Sequence, residues 1–393
     1  MNGRVVVVGG SLSGLRFVEN LQLKGFKGQI VVCSDETLMP YNRPPLSKDF
    51  LTAGTEPASV HFKTRPTLNS ADWRLGVSAL STDLARSTVA LSDGSVLDFD
   101  FLVAASGVRP RPLTWKRNGK RVSRMRTLAD AKRLRNAITP GSRVVVIGGG
   151  FIGGEVSASA RSLGAEVTLL CPGPHLLRPA IGSVLAQKIM DRHVEAGVDV
   201  RVNERLPEVN ADAARIELAS GETIEADIVV EAVGSLPNHE WLDAGRLDLS
   251  DGLLCDNSLL AAGSDNVYAI GDIARFPNPM FDEVPRRIEH WNIAVETARR
   301  AAQSILHVSG TQPGDALPEF RPMPAFWSNQ YEYRIQAYGL PRIADRIDPL
   351  EGEMRGAPIM GYYRNDQLVA VAALDNGPEL IEYSRDVGKL AVR

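Results

Sequence analysis

The chain has 393 residues, of which 44% are apolar and 23% charged, and its net charge is −3. These values predict a globular protein of two or three domains with a sizeable core, and they exclude a protein that binds polyanions through its overall charge. No apolar run is long enough to span a membrane. The three cysteines are far apart and lack the spacing of a metal site. The opening "MNGRVVVVGG" runs directly into a strand, so we expect no secretory signal and a cytoplasmic protein.

The first predicted elements are a strand, a glycine-rich turn and a helix, in "RVVVVGGSLSGLRFVENLQLKG". Gly9 permits the tight turn, the small Ser11 lets a phosphate approach the backbone, and Gly14 lets the helix pack closely on the strand. The next strand ends in "CSDE", where Asp35 is placed to accept hydrogen bonds from a ribose. Free N–H groups at the helix start bind phosphate. The pattern therefore predicts a dinucleotide-binding βαβ unit.

A second copy, "SRVVVIGGGFIGGEVSASARSLGAEVTLLC", follows about 140 residues later. Its glycines are Gly148, Gly150 and Gly153. We include these glycines, Phe151, Ile152 and Glu155 in the nicotinamide site. A lone glycine pattern also occurs in turns that bind nothing, but two copies within complete βαβ units favour two bound dinucleotides. We expect one to be a bound flavin and the other a diffusible nicotinamide, which predicts a flavoenzyme that transfers hydride.

Three later segments are predicted to return to these sites. "DFDFLVAASGVRPRP" (98–112) and "EADIVVEAVGSLPN" (225–238) resemble each other and are the expected crossing points between domains. We include Gly234 in the nicotinamide site. In "DNVYAIGDIARF", Gly271 and Asp272 follow a strand. Asp272 is either a ligand of the flavin ribityl chain or an ordinary helix N-cap.

Several motifs together resemble the oxygenase-coupled ferredoxin reductases: "PYNRPPLSKDFL" (40–51), both glycine turns, "YAIGDIARFPNP", "RRIEHWNIAVETARRAA" (286–302) and "FWSNQYEYRIQAYGL" (326–340). The resemblance covers essentially the whole chain. It implies an α/β fold with two Rossmann-type domains and a small C-terminal α/β domain. The implied boundaries are 1–108 and 239–318 for FAD, 109–238 for NAD(P)H, and 319–393 for the C-terminal domain.

The resemblance also implies a reaction and its residues. FAD takes a hydride from NADH or NADPH and passes single electrons to a [2Fe–2S] ferredoxin, which serves a cytochrome P450 or another oxygenase, and the enzyme is a monomer or weak dimer. Lys48 and Glu155 are the implied catalytic pair beside the flavin, although a carboxylate is also favoured at any helix N-terminus. Beyond the turn residues, the implied FAD contacts are Ser13, Asp35, Arg43, Pro45, Lys48, Ala79, Arg126, Gly271, Asp272, Glu289, His290 and Trp291.

Two positions depart from this family pattern. Relatives commonly end the second strand of the nicotinamide unit with an acid, where this chain has Cys171, and His175 and Arg178 lie just beyond. Losing a carboxylate removes a repulsion against a 2′-phosphate, so we expect tolerance of NADPH, loose binding of either nucleotide, or inefficient reduction. Gly154 stands where relatives have a larger apolar residue. Cys33 and Cys171 sit at matching strand ends and are expected to be small buried hydrophobes, which argues against a disulfide reductase.

Residues 109–135 contain eleven Lys or Arg and one acid, Asp130. This charge predicts steering of an acidic ferredoxin, binding of nucleotide phosphates, or only a solvated surface; no motif accompanies it that would read nucleic acid. Trp327 is either a packing residue or part of the ferredoxin-facing edge. The alternative functions are an NAD(P)H oxidase, a quinone reductase, a biosynthetic flavoenzyme, or a redox-signalling protein like apoptosis-inducing factor.

Overall fold

The computed structural model describes residues 3–53, 58–63, 70–113, 122–204, 215–218, 220–312, 316–350, 358–375 and 377–389. The chain forms two compact units. The first comprises Met1–Asn42, His61–Arg109 and Pro237–Ala325, and the second comprises Arg43–Val60, Pro110–Leu236 and Phe326–Arg393. Among the described residues, no helix is both long and apolar enough to cross a membrane.

The first unit is built on a parallel five-stranded sheet. Its strands, in spatial order, are β18 (Val267–Ala269), β7 (Phe101–Ala104), β1 (Arg4–Val8), β2 (Gln29–Ser34) and β3 (Asp72–Leu75). The apolar run in β1 is buried, as is typical of a parallel strand covered on both faces. Helices α1 (Leu12–Leu23) and α6 (Trp291–Val308) pack against each other.

Two smaller sheets complete the first unit. One is antiparallel and contains β4 (Ala79–Asp83), β5 (Thr88–Leu91) and β6 (Val96–Asp98). The other contains β17 (Leu253–Leu254), β19 (Ala274–Asn278) and β20 (Asp282–Arg287).

The second unit repeats the parallel architecture. Its strands, in spatial order, are β12 (Asp199–Arg201), β11 (Glu166–Leu170), β10 (Arg143–Ile147), β15 (Ile228–Glu231) and β9 (Val122–Arg124). The hairpin β13 (Arg215–Glu217) and β14 (Thr223–Glu225) packs its Ile216 into the same core as Val145 and Leu170. The helices of this part are α2 (Asp49–Thr52), α3 (Leu128–Ala137), α4 (Phe151–Ser162) and α5 (Arg178–Glu195).

The C-terminal part of the second unit is a five-stranded sheet with antiparallel pairing. Its spatial order is β21 (Ala325–Gln330), β22 (Tyr333–Gly339), β25 (Gln367–Leu374), β24 (Met360–Arg364) and β23 (Arg346–Pro349). Helix α7 (Gly377–Ser384) packs on β25. The remaining short strands are β8 (Val108–Pro110) and β16 (Ser235–Pro237).

The predicted α/β fold, with two Rossmann-type sheets and a small C-terminal domain, is confirmed. The compact units group the chain differently from the predicted cofactor domains, because residues 43–60 and the C-terminal sheet both belong to the second unit. The boundaries of the FAD and NAD(P)H domains therefore stay a prediction.

Candidate cofactor and catalytic sites

The first glycine turn lies between β1 and α1. Gly9 has a φ of +125°, and a Cβ there would overlap the carbonyl oxygen of Ala105. A Cβ on Gly14 would overlap the Gly9 carbonyl oxygen, so glycine at both positions lets the helix begin directly on the sheet. Ser11 is the N-cap residue of α1, and its hydroxyl makes no capping hydrogen bond. The first N–H groups of α1 are thus placed at the carboxyl end of β1, the usual position of a bound diphosphate.

The "GDIARF" segment meets this turn within the first unit. Gly271 has a φ of +70°, and a Cβ on it would lie 2.8 Å from Ser13 Oγ. Its N–H donates to Thr297 Oγ1 in α6 at 2.9 Å, and the Asp272 carbonyl accepts from Arg287 at 3.0 Å. Asp272 is not the N-cap of an α-helix but the middle residue of a single 3-10 turn. The two segments predicted to hold one flavin are therefore adjacent.

The other predicted FAD contacts divide between the units. In the first unit, Asp35 is exposed just after β2, Ala79 begins β4, and Glu289 accepts from Arg287 at 2.8 Å. His290 is the N-cap of α6, and Trp291 Nε1 donates to Asn42 at 3.3 Å. The second unit contains the remaining four predicted contacts, Arg43, Pro45, Lys48 and Arg126.

The second glycine turn repeats the geometry of the first. Gly148 has a φ of +123°, and a Cβ there would overlap the Ala232 carbonyl oxygen. A Cβ on Gly153 would overlap the Gly148 carbonyl oxygen. Gly150 is the N-cap of α4, and a Cβ on it would meet no described heavy atom within 4 Å. Open space therefore faces the start of α4, where Phe151 and Ile152 begin the helix. Gly234 follows β15 with a φ of +104°.

Lys48 and Glu155 form an ion pair in the second unit, as predicted for the catalytic pair. Lys48 Nζ lies 2.9 Å from Glu155 Oε2, and the two side chains are only 15% and 5% exposed. Ser47 Oγ donates to the same carboxylate oxygen at 2.5 Å, and Ser328 Oγ donates to Oε1 at 2.6 Å. Ser159 Oγ of α4 donates to the Ser47 carbonyl at 2.8 Å, which fixes the Pro44–Ser47 turn against the helix.

The two serines on Glu155 were absent from the predicted site. Both lie in segments whose motifs were already informative: Ser47 precedes Lys48 in "NRPPLSK", and Ser328 lies in "FWSNQY". Three donors on one buried carboxylate hold it in one orientation.

Cys171 is buried beneath the second glycine turn. A Cβ on Gly149 would lie 3.0 Å from Cys171 Cβ, and the thiol contacts the His175 carbonyl at 3.6 Å. Burial raises the pKa of this thiol, as expected for an inert packing residue. His175 is half-buried, and Arg178 is exposed at the start of α5, with its Nε donating to Ser183.

The strand registers show that Cys33 and Cys171 do not occupy matching positions in the two units, so that prediction from the sequence was wrong. Val8 pairs with Cys33 in the first unit, whereas Ile147 pairs with Leu170 in the second. Cys33 therefore matches Leu170, and Cys171 matches Ser34. The position that matches Asp35 is occupied by Pro172, which is exposed.

The basic segment is partly neutralised by ion pairs. Arg124 pairs with buried Glu231 at 2.5 Å, and Arg133 pairs with Asp130 at 2.5 Å. Arg109 pairs with Glu240 in the first unit. Four of the predicted basic residues lie outside the described residues: Lys116, Arg117, Lys120 and Arg121.

Comparison with known proteins identifies the family. The sequence model of the pyridine nucleotide-disulphide oxidoreductases matches residues 3–298, and that of a reductase C-terminal domain matches residues 325–388. The chain belongs to the pyridine nucleotide-disulphide oxidoreductase family.

Relatives of this oxidoreductase match it over nearly its full length. Putidaredoxin reductase of Pseudomonas putida is 32% identical over 392 residues, covering 96% of this chain and 90% of its own. The ferredoxin–NAD(+) reductase component of the p-cumate 2,3-dioxygenase system of Pseudomonas putida is 31% identical over 389 residues, covering 96% and 91%. The crystal structure of the covalent putidaredoxin reductase–putidaredoxin complex aligns with a TM-score of 0.88 at 30% identity, covering 98% of this chain and 92% of that chain. The resemblance predicted from the motifs is confirmed.

This member of the family carries no disulfide. All three cysteines are free and buried, and burial raises the pKa of Cys33 to about 11.

Both glycine turns fit the diphosphate of a dinucleotide. Each places helix N–H groups and the positive end of the helix dipole at the carboxyl end of a parallel strand, and in the second turn the space in front of Gly150 is open. The residues present thus match the two dinucleotides, FAD and a nicotinamide, that the family uses.

Proposed function

We propose that this chain is an FAD-dependent NAD(P)H:ferredoxin oxidoreductase. It passes electrons from a nicotinamide through FAD to a [2Fe–2S] ferredoxin that serves a cytochrome P450 or another oxygenase. The observation that carries the proposal is the buried Lys48–Glu155 ion pair, in a chain that has two dinucleotide turns and no disulfide. The dioxygenase-system ferredoxin–NAD(+) reductase among the relatives supports the same reaction.

FAD, when bound, supplies hydride acceptance and release of single electrons. The chain's own groups bind and prepare the reactants. The start of α1 holds one diphosphate, with Ser13, Gly271 and Asp272 next to it, and the start of α4 holds the other. Lys48 supplies a positive charge that stabilises the negative charge of the reduced cofactor. Glu155 offsets the cost of burying the ammonium group and keeps its direction fixed.

The electron acceptor is proposed to be an acidic ferredoxin. The crystallised complex of a relative with putidaredoxin supports a small protein partner for this fold. Residues 109–135 carry a strong excess of positive charge, which raises the association rate of an acidic partner at low salt. Trp327 is 37% exposed on β21, as expected for an aromatic that contacts a partner.

The chain is proposed to accept NADPH as well as NADH. No acid occurs between Cys171 and Arg178, and Pro172 replaces the residue that matches Asp35. His175 and Arg178 then offer nitrogen donors to a 2′-phosphate. The reducing cytoplasm is the proposed compartment, supported by three free, buried thiols.

Anaerobic stopped-flow mixing with NADH and NADPH tests the reaction. We expect rapid bleaching of the flavin, and rapid reoxidation of the reduced protein by a [2Fe–2S] ferredoxin. Lys48→Met is expected to slow bleaching by about 10²-fold, because one preorganised charge is lost. The FAD content of the variant, measured by absorbance, separates this effect from loss of cofactor.

Other outcomes identify the alternatives. Faster reoxidation by oxygen or by a quinone than by ferredoxin would replace the proposal with an oxidase or quinone reductase. Very slow bleaching with a long-lived nicotinamide complex would instead favour a signalling protein.

A further inference from the structure

Gly154 leaves room for a polar side chain next to the catalytic pair. A Cβ on Gly154 would lie 2.5 Å from Gln330 Oε1 and 2.8 Å from Gln330 Nε2. Gln330 is 1% exposed and lies on the same face of β21 as Ser328, two residues earlier. A larger apolar residue at 154 would exclude the amide from this space. The missing side chain on α4 and the buried amide on β21 are therefore complementary.

A continuous series of hydrogen bonds runs through this amide. Tyr331 OH lies 3.1 Å from His193 Nδ1, and His193 Nε2 lies 2.9 Å from Gln330 Oε1. Gln330 Nε2 donates to Ser328 Oγ at 3.2 Å, and Ser328 Oγ donates to Glu155 Oε1 at 2.6 Å. All of these residues belong to the second unit.

Each bond in the series has a defined direction. Because an amide oxygen only accepts, His193 must carry a proton on Nε2 and donate it to Gln330. Burial lowers the pKa of His193 below its ordinary value, and the neighbouring Arg192 lowers it further; together they outweigh the hydrogen bond to Gln330, which raises it. His193 Nδ1 is then free of a proton and accepts from Tyr331. Every donor therefore points along the series toward Glu155.

The series matters because it determines how Glu155 is held. Lys48 and Ser47 both bind Oε2, so Ser328 is the donor that fixes Oε1. The Gln330 amide occupies a lone pair of Ser328 Oγ and so directs the Ser328 proton to the carboxylate. Without the amide, that hydroxyl can rotate away from the carboxylate, and Oε1 loses an oriented donor.

We propose that Gly154, Gln330 and His193 form a positioning chain that orients Glu155, and through it Lys48, for hydride transfer. The effect of this chain on hydride transfer rests on the proposed function, whereas the direction of its hydrogen bonds is independent of that function. None of the three is a catalytic residue, because each acts through Ser328.

Kinetics of matched variants test the positioning role. His193→Phe and Gln330→Met remove the donor or the amide while keeping a buried side chain. We expect each to lower the rate of flavin reduction at saturating NADH about tenfold. The concentration of NADH that gives half-maximal rate and the FAD content should not change. His193→Gln offers an N–H donor and an oxygen acceptor in place of the imidazole nitrogens, so it should restore most of the rate.

Histidine nitrogen NMR on the FAD-loaded protein tests the direction of the series without any turnover. The signals that disappear in His193→Gln belong to His193. At pH 7 we expect protonated Nε2 and unprotonated Nδ1. A proton on Nδ1 alone, or on both nitrogens, would overturn the inference.

The two experiments separate the inference from the proposed function. If neither NADH nor NADPH bleaches the wild-type flavin but the NMR shows the expected tautomer, the reductase proposal fails and the directed series stands. If the wild type is reduced rapidly and both His193→Phe and Gln330→Met match it, the positioning role fails alone.

A packing control distinguishes polarity from volume. Gly154→Ala should destabilise the protein, because its Cβ approaches Gln330. The double variant Gly154→Ala/Gln330→Ala should regain thermal stability but not the rate. Full recovery of the rate in the double variant would show that only packing matters.

Discussion

The two glycine turns share a backbone geometry and differ in the side chains around it. Gly9 and Gly148 have φ values of +125° and +123°, and their N–H groups donate at 2.8 Å to Cys33 and Leu170 respectively. In both turns, the residue five positions later must also be glycine, because a Cβ would overlap the carbonyl oxygen of the first. The backbone geometry that we propose to bind a diphosphate is therefore common to both units.

The differences lie on the helix and after the second strand. Counting from the first glycine, buried Leu15 corresponds to Gly154, and Arg16 corresponds to Glu155. Arg16 forms a local ion pair with Glu19 at 2.5 Å, whereas Glu155 pairs with Lys48, far away in sequence. One helix thus forms a local ion pair, and the other carries the carboxylate of the proposed catalytic pair.

The sharpest way to separate the two turns is to add one methyl group to each. Gly9→Ala is expected to abolish FAD retention, and Gly148→Ala to keep FAD but slow its reduction by NADH about 10²-fold, because the backbone must shift to relieve the overlap. FAD absorbance per chain and stopped-flow bleaching give the two readings. Gly25→Ala and Gly221→Ala are matched controls, since both have positive φ but no atom within 4 Å of a Cβ. Equal effects in controls and test variants would contradict the role of the overlap.

Pro172→Asp tests the difference after the second strand. A carboxylate at the position that matches Asp35 should accept bonds from a ribose and repel a 2′-phosphate, so the ratio of kcat/KM for NADH over NADPH should rise about tenfold. Cys171→Ser is the control, because Cys171 matches Ser34 and is buried. An equal shift in Cys171→Ser would assign ribose recognition to Cys171 instead.

The surroundings of His193 in the second unit predict that acid destabilises the protein. The folded pKa of His193 lies below the ordinary 6.5. The unfolded chain therefore binds more protons between these two values. The free energy of unfolding then decreases as the pH is lowered through that window, by at most about 1.4 kcal/mol per pH unit. Tyr331 and Arg192 are the ionisable groups that face the ring. Urea unfolding of wild type and His193→Gln from pH 7.5 to 5 measures the difference. Parallel pH profiles for the two proteins would rule out a titrating His193.

The smallest expected effect concerns the middle residue of each turn. Gly150→Ser should change the free energy of unfolding by only about 0.5 kcal/mol, because a Cβ there meets open space and serine is a favourable N-cap. The KM for NADH should nevertheless rise, since the new side chain enters the space in front of α4. Ser11→Gly gives the reciprocal variant. A large drop in melting temperature for Gly150→Ser would show that the space is not open.

Much of the fold and part of the site could be predicted because their signals are local. The strand, the turn and the helix around Gly9 and Gly148 follow from residue spacing and from positions that only glycine can occupy. The Lys48–Glu155 pair was reached only through resemblance, since nothing local to either residue points to the other. The prediction that Cys171 matches Cys33 was wrong by one residue, because strand register depends on pairing and not on the apolar pattern alone.

The sequence by itself determined that this chain has an α/β fold with two dinucleotide-type βαβ units, and it predicted a redox site without a disulfide. Only the tertiary structure decided what surrounds Glu155. Ser47 lies 108 residues from it and Ser328 lies 173 residues from it, yet both donate to its carboxylate. In the sequence, Gly154 is only a departure from the family pattern. In the structure, its missing side chain leaves the space that the Gln330 amide fills. The physical reason is that turns and helices are specified over a few residues, whereas the partners of a buried charge are chosen by packing across the whole fold.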